Sequence, residues 1–193
     1  MTTSITDALA GARSFFLAGV MQGSRRGEQM ADQSYRARLG ELILSSRPDA
    51  ELRDPGRLMA EWVGGRAAEL RGAHARLASL EVIDRTKLDG AVGDLTEIFA
   101  RLVRLSATSD VCVAWLPDHE ASMGTAVEMS AAHDAGRTVV AITPMRQNLA
   151  VLSCSSIIVP DLDHFAALLG GLDERADRAR PAVGSGTSGG LRG

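Results

Sequence analysis

Short apolar runs alternate with longer amphipathic stretches along most of the chain. Four runs of strand length contain few charged residues, and a weaker fifth precedes a proline: "SFFLAGV", "DVCVAWLP", "RTVVAITP", "SIIVP" and "AELRDP". Between them, apolar residues such as Leu95, Ile98, Leu102 and Val103 recur at helical spacing. Buried strands that alternate with helices indicate a parallel sheet covered on both faces. We therefore predict an α/β fold, a Rossmann-like three-layer sandwich around a central parallel sheet of about five strands.

The length of the chain fits a single domain. We assign residues 1–180 to this domain and residues 181–193, rich in Gly and Ser, to a flexible C-terminal tail. The region from about Gly56 to Arg85 is rich in arginine and alanine and only weakly amphipathic. Its pattern fits one helix, two helices or a partly mobile flap.

Composition narrows the range of partners. The 193 residues are 45% hydrophobic and 23% charged, with a net charge of −3, which gives no broad electrostatic attraction to nucleic acid or to an anionic membrane. No apolar run approaches the roughly 20 residues that span a bilayer, and Arg13 interrupts any signal peptide. Cys112 and Cys154 fit neither a disulfide framework nor a metal site. We expect a cytoplasmic protein that needs no metal or other cofactor.

Two loops that follow predicted strands carry residues suited to an anion. Ligands of such sheets bind beyond the carboxyl ends of the strands. After the strand that ends at Gly19, the loop supplies a polar amide, a glycine, a hydroxyl and a guanidinium, in Gln22, Gly23, Ser24 and Arg25. A later loop places Ser122, Gly124 and Thr125 at the start of a helix, where hydroxyls and free backbone N–H groups favour a phosphate. Ser122 also fits a simpler role as helix cap.

Glu128 follows that helix start among Val127, Met129 and alanines. We place it near the end of the first helical turn, where the helix dipole favours an ionised carboxylate. An ionised carboxylate suits a nucleophile more than a general acid, as in sugar transfer through an oxocarbenium-like transition state. The alternative is an ordinary glutamate on the exposed side of the helix.

Three segments resemble the nucleoside 2-deoxyribosyltransferase superfamily, which includes nucleoside 5′-monophosphate N-glycosidases. They are "FFLAGVMQGSRRG", "SDVCVAW" and "ASMGTAVEMSAAHDAGRTVVAI". The pattern is a strand ending in Gly19, an apolar strand started by Asp110, and Ser-x-Gly-x-x-x-Glu from Ser122 to Glu128. The likeness covers roughly residues 15–40 and 108–169.

The resemblance implies roles for individual residues. Glu128 would attack the anomeric carbon of the sugar. In the branch that cleaves monophosphates, Ser24, Arg25, Ser122 and Gly124 would hold the 5′-phosphate. Family members are homodimers or larger oligomers in which a neighbour completes the site, and Asn148 and Ser153 are the candidates for that contribution.

The chain departs from the family at the acid that protonates the leaving base. Counting back from Asp110 to the usual position reaches Phe99, which cannot donate a proton. Asp94 and Glu97 are near but out of register, and Asp54 and Asp32 are alternatives. The leading hypothesis is hydrolysis of the N-glycosidic bond of a nucleoside 5′-monophosphate. The alternatives are base exchange on a nucleoside by a 2-deoxyribosyltransferase and a non-catalytic nucleotide sensor.

Overall fold

The computed structural model describes residues 5–21 and 31–179. The predicted tail 181–193 and the loop residues Gln22, Gly23, Ser24 and Arg25 lie outside these ranges. Within them, the strands are β1 Ser14–Gly19, β2 Glu51–Arg53, β3 Val111–Trp115, β4 Thr138–Ile142 and β5 Ile157–Val159. The helices are α1 Ile5–Ala10, α2 Tyr35–Ser46, α3 Pro55–Val63, α4 Ala67–Arg76, α5 Gly90–Thr108, α6 Met123–Asp134, α7 Leu149–Cys154 and α8 Leu162–Ala179.

All five strands are parallel and pair in the order β2-β1-β3-β4-β5. The prediction of an α/β fold with a parallel sheet of about five strands is confirmed. The strand after β1 lies on one side of it and the next strand, β3, lies on the other. The order in which strands are added therefore switches from one side of the sheet to the other between β1 and β3. Folds of this kind bind ligands in the crevice at the carboxyl ends of such a pair of strands.

Helices cover both faces of the sheet because side chains of each strand alternate between them. Phe15 and Leu17 of β1 pack with α1, α2 and α8, whereas Phe16 and Ala18 pack with α3, α5, α6 and α7. Strands β1, β3 and β4 are buried on both sides, which explains why their sequences are continuous apolar runs. No helix in the described ranges is both long enough and apolar enough to cross a membrane.

Asp110 ties the amino ends of β1 and β3 together. Its Oδ2 accepts hydrogen bonds from the Arg13 N–H at 2.9 Å and from the Ser14 N–H and Oγ at 3.0 Å each. These hydrogen bonds, that of the Arg13 N–H first, lower the pKa of the Asp110 carboxyl. The aspartate that directly precedes β3 is thus structural and lies at the edge of the sheet opposite the carboxyl ends of the strands.

Candidate active site

Glu128 occupies a core position on α6. The residues of this helix that face the sheet are Thr125, Glu128, Met129 and Ala132, all buried, and Glu128 is only 5% exposed. The stripe has the spacing of one helix face, with a carboxyl where an apolar residue would be expected. Helix α6 packs against β1, β3 and β4, and the Glu128 carboxyl interacts electrostatically with Cys112 of β3 and with Arg36. The alternative of a solvated helix glutamate is wrong.

The ionisation of Glu128 differs from the sequence-based expectation. Burial raises the pKa of its carboxyl to about 8, and the nearby Arg36 guanidinium opposes that rise only in part. Glu128 is the sixth residue of a helix that begins at Met123, whereas the dipole acts mainly within the first turn. Desolvation therefore outweighs the helix terminus, and the neutral acid is the stable form at pH 7.

Arg36 is a buried cation at the carboxyl end of β1. From the first turn of α2, its guanidinium donates to the carbonyl of Leu17 and, at 3.5 Å, to that of Gly19. Strand β2 pairs with β1 only as far as Phe16, whereas β3 pairs with it through Gly19. The arginine thus satisfies carbonyl groups that a longer β2 would bond. Its own position is fixed because these partners belong to the sheet.

Asp54 is joined to this arginine. It lies directly after β2 and caps α3, with Oδ1 accepting from the Gly56 N–H at 2.8 Å. The same oxygen lies 3.5 Å from Arg36 Nη1, and the side chain is 26% exposed. Of the acids considered from the sequence, Asp54 is the one that the structure links to the surroundings of Glu128.

Asp94 and Asp32 form their polar contacts with residues other than Arg36 and Glu128. Asp94 forms an ion pair with Arg66 at 2.7 Å, in an open cleft of about 270 Å³ lined by residues of α3, α4 and α5. Glu128 and Ser122 are not among the residues that line this cleft. Asp32 accepts hydrogen bonds from the N–H and hydroxyl of Ser34 ahead of α2.

Tyr35 lies against Gly19 at the end of β1. Its ring centroid is 6.0 Å from that of Trp115, and the Arg36 guanidinium lies 5.1 Å from the ring. A Cβ at Gly19 would lie 2.3 Å from the Tyr35 hydroxyl, so this position requires glycine. Among the described residues the buried hydroxyl has no hydrogen-bond partner. Gly19 therefore has a steric role in the site's wall.

The predicted anion-binding turn at α6 is formed as a helix cap. Ser122 Oγ accepts from the Thr125 N–H at 3.3 Å and from Thr125 Oγ1 at 2.9 Å, which leaves its own proton to donate. The N–H groups of Met123 and Gly124 are the first of the helix and have no intrahelical acceptor. A Cβ at Gly124 would make only an ordinary contact with the Phe99 ring, so sterics do not demand glycine there.

The two substrate-binding candidates near α7, Asn148 and Ser153, have different surroundings. Asn148 caps α7 through Oδ1, which accepts from the N–H groups of Ala150 and Val151 at 3.0 and 3.2 Å. It lines a small cavity of about 100 Å³ together with Ser122 of the same chain. Ser153 is exposed, and its hydroxyl donates to the carbonyl of Leu149.

Comparison with known proteins adds a distant structural likeness. No protein-family model matches the chain, and no curated protein matches its sequence. A 2-deoxyribosyltransferase from Bacillus psychrosaccharolyticus is similar in structure, with 16% identity, a TM-score of 0.47, and 80% of this chain and 95% of that chain covered. A conserved protein from Enterococcus faecalis V583 has 18% identity, a TM-score of 0.47, and coverages of 83% and 99%. Likenesses this remote assign no function.

Arg36 and Tyr35 are the residues of this site that sequence reasoning missed. The available signal is the position of both residues at the start of α2, directly after the loop that follows β1. In a parallel sheet, that end of the helix lies at the ligand-binding edge.

Proposed function

We propose that the protein hydrolyses the N-glycosidic bond of a nucleoside 5′-monophosphate and releases the free base and the sugar 5-phosphate. The observation that carries this proposal is the Glu128 carboxyl, buried on the face of α6 that packs against the sheet, with the charge of Arg36 acting on it and Asp54 paired with that arginine. An unpaired acid in a core destabilises the fold. A buried carboxyl near the central strands therefore indicates a chemical role rather than a structural one. The Ser-x-Gly-x-x-x-Glu resemblance supports the same reaction class.

In this reaction the ionised Glu128 carboxylate attacks C1′ of the sugar. The bond from C1′ to the base nitrogen breaks, the base keeps its electron pair, and the protonated Asp54 supplies the proton. Water then attacks C1′ of the glycosyl ester, gives a proton to the Asp54 carboxylate and frees Glu128. Each carboxyl is restored at the end of the cycle.

A phosphate-binding role for the start of α6 is part of the proposal. The Ser122 hydroxyl and the backbone N–H of Gly124 supply neutral donors at the positive end of a 12-residue helix, and the Thr125 hydroxyl, which donates to Ser122 Oγ, leaves the Ser122 proton free for the phosphate. Ser24 and Arg25, with Gln22 and Gly23, are the expected contributors from the loop after β1.

Transfer of the sugar to a second base is the alternative that the structure favours most. It shares the first half of the reaction and differs only in the group that resolves the glycosyl ester. The low exposure of Glu128 limits access of water to that ester and so suits transfer. A nucleotide sensor is the third hypothesis, supported by the neutral state of Glu128 at pH 7.

We further propose that the protein is a homodimer or larger oligomer in the cytoplasm. Apolar side chains are exposed on three neighbouring helices: Phe99 of α5, Met123 and Val127 of α6, and Leu149 and Leu152 of α7. Large apolar side chains exposed on neighbouring helices are typical of protein interfaces. Cys112 and Cys154 are both free thiols, which fits a reducing compartment.

The test is a search for released base. The protein is incubated at several pH values between about 5 and 9, because the reaction needs one ionised and one protonated carboxyl, with each common nucleoside monophosphate and with the matching nucleosides, with and without an acceptor base. Free base from a monophosphate without acceptor supports hydrolysis. Release only with an acceptor supports transfer, and binding without release across the panel supports the sensor.

Glu128→Gln keeps the shape of the side chain and removes the nucleophile. We expect this variant to lose base release by about 10³-fold or more while it still binds the monophosphate. Glu61→Gln, on the exposed side of α3, is the matched control and should retain full activity. Unchanged turnover in Glu128→Gln would remove Glu128 from the reaction.

A further inference from the structure

An open cleft of about 270 Å³ lies between α3, α4 and α5 and is separate from the candidate active site. Val63 of α3, Leu70 of α4 and Ile98 of α5 give it aliphatic walls. Glu128 does not line the cleft, and neither does Ser106, the α5 residue whose hydroxyl donates to the carbonyl of Glu128 at 2.9 Å. A concave surface with apolar walls and a few polar groups is a typical binding site for a small molecule. The polar groups of this cleft therefore decide what it can bind.

Arg101 is a cation in the wall of this cleft whose N–H groups are left open. Its guanidinium lies 3.8 Å from the centroid of the Trp62 ring, in a cation–π contact. Among the described residues it forms no hydrogen bond or ion pair, and the Trp62 indole N–H has no acceptor there either. Glu97 lies four residues before Arg101, the spacing at which ion pairs form on a helix, yet Glu97 pairs with Arg104. The stack on Trp62 thus holds the guanidinium in the cleft and leaves its edge free to donate.

The two acids of the cleft limit the charge of a ligand. Asp94 pairs with Arg66 at 2.7 Å, and Glu97 pairs with Arg104, so neither acid neutralises Arg101. Arg101 offers a single positive charge in a cleft that also contains two carboxylates. A ligand with one negative charge suits this arrangement, whereas the two negative charges of a phosphate monoester would be repelled by the acids.

We propose that this cleft is a second ligand site, which binds a small organic carboxylate with an apolar body. The Arg101 guanidinium donates two parallel N–H groups to the carboxylate, because its planar fork matches the geometry of that group. The apolar body packs against the aliphatic walls. Sites for drug-sized ligands have volumes of about 300–1,000 Å³, so a cleft of about 270 Å³ fits a body of about one ring. The site is independent of the proposed reaction at Glu128.

The indole N–H of Trp62 is the reporter for binding. The chain has 2 tryptophans, so protein labelled with ¹⁵N gives two indole signals by NMR, and the Trp62 signal is assigned by its loss in Trp62→Phe. The probes are benzoate, phenylacetate and hexanoate. We expect at least one of them to shift the Trp62 signal saturably at concentrations on the order of millimolar. The signal of Trp115, at the end of β3, should stay in place.

Arg71→Gln is the matched control for Arg101→Gln. Arg71 of α4 is also exposed and also forms no ion pair among the described residues, but it does not line the cleft. Arg101→Gln should weaken the carboxylate that binds by about tenfold or more, because a hydrogen bond to a charged group is lost. Arg71→Gln should leave the affinity unchanged. The neutral amide of the same probe, and acetate, which has no apolar body, should each bind more weakly by about tenfold or more.

Three results would overturn this proposal. The first is a Trp62 signal that none of the three carboxylates shifts saturably, and the second is equal affinity in Arg101→Gln and the wild type. The third is tighter binding of phenyl phosphate than of benzoate, which would rule out a site for a monoanion. None of these measurements uses base release, so the cleft is accepted or rejected whether or not the protein is a glycosidase.

Discussion

At the scale of single residues, Glu128 illustrates a competition between two effects of opposite sign. A helix start stabilises a carboxylate, and burial destabilises it. The dipole contributes about 0.3–1 kcal/mol in exposed positions, whereas a fully buried acid shifts by up to about 3–5 pKa units. The second effect is larger, and it sets the neutral acid as the stable form of Glu128 at pH 7.

The raised pKa of Glu128 predicts that ionisation at this residue destabilises the fold. The carboxyl titrates near 4.5 when unfolded and near 8 when folded, so the native state holds the proton over this interval and the unfolded state does not. The contribution of Glu128 to stability is therefore complete below pH 4.5 and is lost as the pH rises through 8. Glu128→Gln has no such loss.

We expect Glu128→Gln to be more stable than the wild type at pH 9, by on the order of a few kcal/mol, with a smaller difference at pH 5. Urea unfolding across this range measures the difference. Parallel stability curves for the two proteins would show that the Glu128 carboxyl is solvated.

The contrast between Arg36 and Arg38 shows what a sequence leaves open at this scale. Both lie in "SYRARLGEL" and look alike in the pattern. Arg38 is exposed and pairs with Glu41, whereas Arg36 is buried against β1. The difference arises because β2 ends early and leaves carbonyl groups of β1 unpaired, which only the assembled sheet reveals. The motif around Glu128 and the candidate acid Asp54 could be found from the sequence, but the buried Arg36 could not.

At the scale of elements, the contact of β1 with α2 predicts the effect of a side chain at Gly19. A Cβ there would lie 2.3 Å from the Tyr35 hydroxyl and 2.8 Å from Cζ, so the ring must move. We expect Gly19→Ala to lose about 1–3 kcal/mol of unfolding free energy, as overpacked cores do. Gly93→Ala in α5, where no atom lies within 4 Å, should instead gain up to about 1 kcal/mol. Equal stability of the two variants in urea would contradict this close packing.

The sequence-based assignments succeeded where the apolar pattern was strong. Strands β1, β3, β4 and β5 were recognised as apolar runs, β2 as a weaker run before a proline, and helix α5 by apolar residues at helical spacing. Helices α1 and α7, of six residues each, were missed because so few residues define no period. The undecided region 56–85 forms α3 and α4, separated at Gly64, whose positive φ of 52° ends α3. The glycine pair was the available signal for that break.

At the scale of the whole molecule, the number of strands could be predicted from the sequence, whereas their order in the sheet is known only from the strand pairing in the structure. Alternation of strands with helices predicts parallel pairing on its own. The crevice results from the early end of β2 and from the switch in strand order between β1 and β3. Both features depend on contacts between distant segments of the chain. The chemistry at Arg36 therefore belongs to the assembled sheet, whereas the chemistry at Ser122 is local and was visible in the motif.

The exposed apolar side chains of α5, α6 and α7 give a test of the assembly. Met123 is 89% exposed and Leu149 is 78% exposed, on two helices that contact each other beside the proposed site. A charge at either position would be desolvated in an interface, so Met123→Glu and Leu149→Glu should dissociate an oligomer that uses this surface. Light scattering after gel filtration should then give the mass of one 20.4 kDa chain.

Val82→Glu is the control for this experiment, because Val82 is equally apolar and 82% exposed but lies between α4 and α5. It should leave the wild-type mass unchanged. If the partner subunit completes the site, Leu149→Glu should also lose base release although Glu128, Arg36 and Asp54 are intact, whereas Met123→Glu tests the mass alone because it adds a negative charge at the proposed phosphate-binding turn. A wild-type protein that is already monomeric would end the proposal of a shared site, and dissociated variants with full activity would confine the oligomer to a role apart from catalysis.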